Sequence, residues 1–416
     1  MRNRYLYFPL LFSVLLLFAG VLFTPMPAAA QPASFYQKGL SPVAMRLLFR
    51  LQELSNKGEY AKGLQKFNEF NKSRRSDQDL PPLLGFVVGN LHFQLGNYQA
   101  AVTHYRRVVA QAPEFELAYE NYGMALLQAE DYQTAGRTFL KAAEMIPKKG
   151  RQLKYRAAIA FFYGGELEKA RTLLVELTSP VSSTTVPVSA SDHPPADWLK
   201  ALLQVDWQLE DYKAAVVVAE KLVDSYPDKI DFWRLYGQVA LAAAEYRKAL
   251  SAYKVLQSEG HITLPERRQI AGICQRLELY QDAAEILEEI FAEVKPEPME
   301  LKQLVAVYRR TGAVEKALST LDRLQKLYPD SANLFQRGEI LYSAGRYREA
   351  ARVFLTLKKT PENDGRQYIL AGYCAWNIDD FPAAASAWQK AATYPARRKQ
   401  ALDLLQTLKP WLATES

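Results

Sequence analysis

The chain has 416 residues, 49% of them hydrophobic and 23% charged, with 52 Lys+Arg against 45 Asp+Glu. That apolar share excludes a largely disordered chain, and 20 Gly with 22 Pro exclude a collagen-like or linker-like one. Two Cys cannot make a disulfide scaffold, and a net charge of +7 over this length is too weak to make nucleic acid an expected partner.

Residues 1–30 read as a secretory signal. Arg2 and Arg4 precede an uncharged run from Leu6 to Phe23, which Pro25, Pro27 and Ala28-Ala29-Ala30 close before Gln31. A charged start, an apolar middle and a small-residue end predict cleavage after Ala30 and an exported, periplasmic chain. The competing expectation is an uncleaved membrane anchor, because Tyr5–Thr24 has the ~20 residues that a spanning helix needs. Gln31 in place of Cys excludes a lipoprotein signal. No later stretch is long and apolar enough to span a bilayer. Without the signal, 50 basic residues face 45 acidic ones.

After a lead-in over 31–43, an alanine recurs three residues after an aromatic or aliphatic one. Tyr60 with Gly63 starts the series, and Ala101, Ala135, Ala170, Ala215, Ala249, Ala283, Ala317, Ala350 and Ala384 continue it in steps of 34, 35, 45, 34, 34, 34, 33 and 34. Twelve residues before the alanine stands a small residue: Gly89, Gly123, Ala158, Gly237, Ala271, Gly338 and Gly372, with Leu203 and Val305 as exceptions. Four residues after it comes a large apolar one, including Tyr105, Phe139, Tyr253, Phe354 and Trp388. Proline follows at Pro113, Pro147, Pro227 and Pro329. A small residue lets two helices approach, a large one on the facing helix fills the gap, and proline stops the second helix. The spacing predicts four units over 44–178, a Ser/Thr/Pro-rich loop over 179–195 and six units over 196–398. A capping helix and tail over 399–416 close the array, since Ala401, Leu402, Leu404, Leu405 and Leu408 form an apolar stripe. The loop is either a tolerated surface insertion or a hinge between the two blocks.

This pattern resembles the tetratricopeptide repeat (TPR), with W-x2-L-G-x2-Y, then A-x3-F, then P. The best matches are Trp233-x2-Tyr236-Gly237 with Ala249-x3-Tyr253, and Tyr119-x2-Tyr122-Gly123 with Ala135-x3-Phe139-x7-Pro147. The resemblance implies an all-α fold: a TPR-type right-handed α-solenoid of about ten helix-turn-helix units with a C-terminal capping helix. It also implies a concave wall, lined by first helices, that binds extended peptides or partner helices.

Very little argues for catalysis, and no cofactor is expected. GxxxxGK[ST], GxGxxG, HExxH, GxSxG and CxxC are all missing. His92, His104, His193 and His261 share no metal-ligand spacing and read as solvated or packing residues. Cys274 and Cys374 read as buried, inert thiols too far apart to bridge. Three residues before the small slot, Lys200, Arg234, Arg268 and Lys302 follow one another at 34-residue steps. Arg276, Arg309 and Arg310 lie further along the same helices, making a candidate basic ladder for acidic side chains or a chain-terminal carboxylate. Phe86, Phe93, Tyr155, Phe162, Tyr163, Tyr373 and Trp376 fall on or beside the same face, as packing residues or as partner anchors.

The expected function is a non-catalytic exported scaffold that binds a protein partner through its concave face. Its layout is similar to TPR proteins that accompany TonB/ExbB-type energy-transduction systems, which implies an inner-membrane or envelope complex. The alternative is a component of exopolysaccharide or cell-envelope polymer assembly whose basic groove meets an anionic glycan.

Overall fold

The computed structural model describes residues 40–72, 80–179, 193–357 and 364–412. The segment expected to be an export signal and residues 180–192 of the loop lie outside them. Among the described residues there are 21 α-helices and one 3-10 turn, with no strand. The chain divides into two compact units, residues 1–244 and 245–416.

In the first unit the helices follow as consecutive pairs: α1 (Pro42–Asn56) and α2 (Tyr60–Lys72), α3 (Pro82–Gln94) and α4 (Tyr98–Gln111), α5 (Glu116–Gln128) and α6 (Tyr132–Met145), α7 (Gly150–Tyr163) and α8 (Leu167–Thr178), α9 (Ala196–Gln208) and α10 (Tyr212–Ser225), then α11 (Ile230–Ala242). The second unit opens on α12 (Tyr246–Ser258). It continues with α13 (Leu264–Arg276) and α14 (Tyr280–Glu293), α15 (Pro298–Thr311) and α16 (Val314–Leu327), α17 (Ser331–Ser343) and α18 (Tyr347–Thr356), α19 (Arg366–Trp376) and α20 (Phe381–Ala392), and ends on α21 (Arg398–Leu412). The expected cap is therefore present as α21. It buries Ala401 and Leu408 against the last pair while Lys399, Gln400, Asp403, Gln406 and Thr407 stay exposed.

One backbone device builds every turn inside a pair. Gly58, Gly96, Glu130, Gly165, Glu210, Ala244, Glu278, Gly312, Gly345 and Asp379 all have φ between 58° and 76°. These residues share one register, seven positions after the small slot. Around Gly96 the Gly96 N–H donates to the Phe93 carbonyl at 3.0 Å and the Asn97 N–H to the His92 carbonyl at 2.9 Å. That is the Schellman closure, which satisfies the last carbonyls of the first helix. The next residue then starts the second helix, and where it is Asp its carboxylate accepts from the N–H three residues on: Asp211 from Ala214 at 3.1 Å, Asp380 from Ala383 at 3.0 Å.

The small and large slots meet as expected. A Cβ added to Gly89 or to Gly123 would lie 2.7 Å from the ring of Tyr105 or Phe139, and one on Gly338 would lie 2.5 Å from Phe354. Tyr105, Phe139, Phe354 and Trp388 are among the largest fully buried side chains. Hence the glycines are packing devices: they admit aromatic rings to the backbone of the neighbouring helix.

The long step in the repeat does not interrupt the packing. On either side of residues 180–192, α8 and α9 contact each other directly. Arg171 of α8 pairs with Asp206 of α9 and with Asp211, both at 2.8 Å, and Lys221 donates to the Thr178 carbonyl at 2.7 Å. The stack therefore continues directly from α8 to α9.

Candidate interaction surface

First helices differ between the units. In the first, residues 83–89 of α3, 157–162 of α7 and 201–206 of α9 are each buried as an unbroken run. Six or more consecutive buried residues turn through every face of a helix, so each of these is covered on all sides. In the second unit α13 and α15 bury one side only and leave Arg276, Lys302, Ala306, Arg309 and Arg310 exposed.

This difference corrects the aromatic expectation. Phe86 is 6% exposed, packed on Phe115 with ring centroids 4.9 Å apart. Tyr155 is 5% exposed and stacks on Trp198 at 5.6 Å. Burial pushes its phenol well above the usual tyrosine range. Phe162 is buried as well. Phe86 and Tyr155 fill seams between successive pairs, and none of the three rings is open to a partner side chain. Phe93 faces Tyr98 within its pair, Tyr163 stacks on Tyr132 of the preceding pair, and Tyr373 meets Trp388 edge to face. Trp376 is half-buried, set among Trp388, Phe381 and Trp411.

The seven cations have unequal surroundings. Lys200 and Arg234 belong to the first unit. Lys200 lies 2.6 Å from Asp197 with 15% of its side chain exposed, and Arg234 lies 3.3 Å from Asp231. In the second unit Arg268 Nε sits 2.6 Å from Glu300 Oε1, linking α13 to α15. Glu300 is buried and also accepts from the Glu297 N–H at 2.8 Å in a capping box. Arg276 lays its guanidinium over the Tyr246 ring at 5.3 Å. Lys302, Arg309 and Arg310 are exposed and form no ion pair among the described residues. Four of the seven rungs are thus engaged within the chain and three are open.

Register arranges the second-unit cations around a floor. Arg268, Gly272 and Arg276 lie at four-residue steps on α13, and Lys302, Ala306 and Arg310 lie at the same steps on α15, each 34 residues later. Residues four apart share a helix face. A Cβ on Gly272 would meet nothing within 4 Å, and Ala306 is exposed. Met299, 64% exposed, begins the same stripe on α15 one turn before Lys302. Gly272, Ala306 and Met299 are absent from the sequence-level site; stepping the ladder forward by four residues finds the first two.

The two thiols are packed away, and two of the histidines are partly buried together. Cys274 and Cys374 are buried free thiols, and burial pushes Cys374 up to about 12. His92 and His104, twelve residues apart, stack with centroids 5.3 Å apart, and His104 meets Phe67 edge to face. Burial lowers the His92 pKa. Among the described residues no group of three or more His, Cys, Asp or Glu could hold a metal ion, and no helix is long and apolar enough to cross a membrane.

Family models of the tetratricopeptide repeat match residues 89–150, 303–331 and 335–401. Comparison with curated proteins gives no match. Among solved structures, the chain is similar to the C-terminal part of a TPR repeat-containing protein from Cytophaga hutchinsonii, at 12% identity and a TM-score of 0.37, covering 86% of this chain and 99% of that one. It is also similar to a tetratricopeptide repeat protein from Parabacteroides merdae (15% identity, TM-score 0.31, 62% and 98% covered) and to yeast Tom70 (12%, 0.29, 90% and 96%). The repeat register, the helix pairs and the family matches fall on the same residues, so residues 89–150, 303–331 and 335–401 carry tetratricopeptide repeats.

Proposed function

We propose that this protein is a non-catalytic, exported adaptor that takes an acidic segment of a protein partner on the α13–α15 face of its second unit, within an envelope complex of the TonB/ExbB type. The observation that carries the reading is the set Lys302, Arg309 and Arg310: three exposed cations on one helix, with no carboxylate among the described residues paired to them. Cations left without partners in the free chain keep their charge-assisted hydrogen bonds available for a ligand. The fold adds support, because TPR pairs act as protein-interaction scaffolds. The export signal at residues 1–30 supports an envelope location.

Crosslinked pull-down from the native envelope fraction tests the reading. Wild type is expected to retain an envelope protein, and the triple variant Lys302→Ala, Arg309→Ala, Arg310→Ala to lose it, with the wild-type interaction weakening as salt rises. Equal capture by both proteins at all salt concentrations would sink the proposal. Displacement by a uronic-acid polymer but not by an acidic peptide would transfer the site to a glycan. N-terminal sequencing of the envelope form checks the export step, with Gln31 as the expected first residue.

A further inference from the structure

We propose that the second unit carries a small-molecule site between the ends of α14 and α16, on second helices rather than first ones. Its ligand is a small amphiphilic carboxylate: one anionic head on a short apolar tail, of the fatty-acid kind.

Two residues of this repeat depart from the register. The slot eight residues after the repeat alanine holds Ala143, Thr178, Gln257 and Gln325 in other repeats, and it is aromatic in one alone, at Phe291. Twelve residues after the alanine, where Pro113, Pro147, Pro227 and Pro329 stand elsewhere, this repeat has Lys295. The backbone departs with them. Val294, which closes α14, is extended at φ −133° and ψ 154°, and the carbonyl of Pro296 accepts from the Tyr328 hydroxyl at 3.2 Å. The chain therefore leaves α14 extended and is pinned beside the end of α16. An open cleft of about 550 Å³ lies there, within the ~300–1,000 Å³ of small-molecule sites.

The lining combines an apolar wall with unpaired charge. Phe291, Val294 and Leu327 form the wall, and Lys295, Arg323 and Lys326 are the cations. The Arg323 guanidinium lies over the Phe291 ring at 5.8 Å and the Lys295 ammonium over the Tyr328 ring at 6.0 Å. Aromatic faces thus hold two of the three charges in place. None of the three is paired with a carboxylate among the described residues. Glu293, the one acid that lines the cleft, has both oxygens 2.7 Å from Arg267 Nη1 and is already neutralised. Cations also suit helix C-termini, where each macrodipole leaves roughly half a negative charge, so two helix ends supply about one. Three cations exceed that, and the surplus calls for an anion. A carboxylate takes charge-assisted hydrogen bonds from Arg323 and Lys326. Its tail then covers Val294 and Leu327, the latter 37% exposed, and removes their surface from water.

Isothermal titration calorimetry of the purified protein with sodium octanoate tests this. Wild type is expected to bind one octanoate saturably. The double variant Arg323→Gln, Lys326→Gln changes two exposed side chains, so it should keep the wild-type melting temperature while affinity falls about tenfold or more, ~1.4 kcal/mol. Leu327→Asp should lose affinity as well, through the tail. 1-Octanol, which lacks the charge, and acetate, which lacks the tail, should each bind more weakly than octanoate. Absence of octanoate binding, or wild-type affinity in both cleft variants, would overturn the inference. So would 1-octanol or acetate binding as tightly as octanoate. The Lys302→Ala, Arg309→Ala, Arg310→Ala variant is expected to bind octanoate as wild type does, which separates this site from the α13–α15 face; loss of octanoate there would move the site to that face and overturn the cleft.

Discussion

The indole of Trp388 occupies the space that a Cβ on Gly372 would need, and its Nε1–H donates to the Ile369 carbonyl at 3.2 Å. One residue on α19 thus exists to admit one ring from α20. Gly372→Ala is expected to destabilise the second unit by ~2 kcal/mol, in the range of overpacked cores. Trp388→Ala should cost ~4 kcal/mol by emptying the same space. Urea unfolding followed by tryptophan fluorescence or helicity measures both. A neutral Gly372→Ala would mean that the close approach can relax.

The turns make a prediction of opposite sign. Glu130, Glu210 and Glu278 adopt φ near +60° and are exposed. Side chains in the left-handed region cost about 1–2 kcal/mol, whereas glycine adopts it freely. Each of Glu130→Gly, Glu210→Gly and Glu278→Gly is therefore expected to stabilise the chain, by up to ~1 kcal/mol after the entropy of the unfolded glycine is set against it. Gly96→Ala and Gly345→Ala, at φ of 74° and 73°, should destabilise by a similar amount. Thermal unfolding of the five variants reads the sign directly.

Asp206 is 2% exposed, and burial raises its carboxyl to about 6 despite the Arg171 guanidinium beside it. An unfolded aspartate titrates near ~4. Between those values the folded chain binds more protons, so this group's contribution to stability falls as pH rises from ~4 to ~6 and stays at the lower level above. Asp206→Asn should remove that slope. Unfolding free energies at pH 4.5 and 7 for variant and wild type check it: an unchanged difference between the two pH values would refute the assignment.

Glu300 holds the start of α15 and the Arg268 link at once. Glu300→Ala should cost ~2 kcal/mol, because it breaks hydrogen bonds to a buried charged group. Arg268→Ala should cost less, since the capping box survives. A smaller loss in Glu300→Ala than in Arg268→Ala, by urea unfolding, would contradict this order.

How much of this was legible beforehand depends on the range of the interaction. The sequence by itself determined the helix pairs, their 34-residue register, the small residue that faces a large one and the closing helix. All of these follow from local helix periodicity and from contacts within a pair. Half of the turn residues were legible too, where the left-handed position holds Gly; Glu and Asp in the same slot carry no such signal. Which side chains remain open was decided only by tertiary structure. Phe86 and Tyr155 share the slot of Lys302, yet Phe115, just before the first helix of the next pair, and Trp198, within that of its next pair, cover them. Arg268 carries the same charge as Lys302, yet Glu300, 32 residues away, has taken it. Period alone places a residue on a face. Whether that face meets solvent depends on how the following pair leans against it, and that is set by the volumes and charges of residues from another repeat.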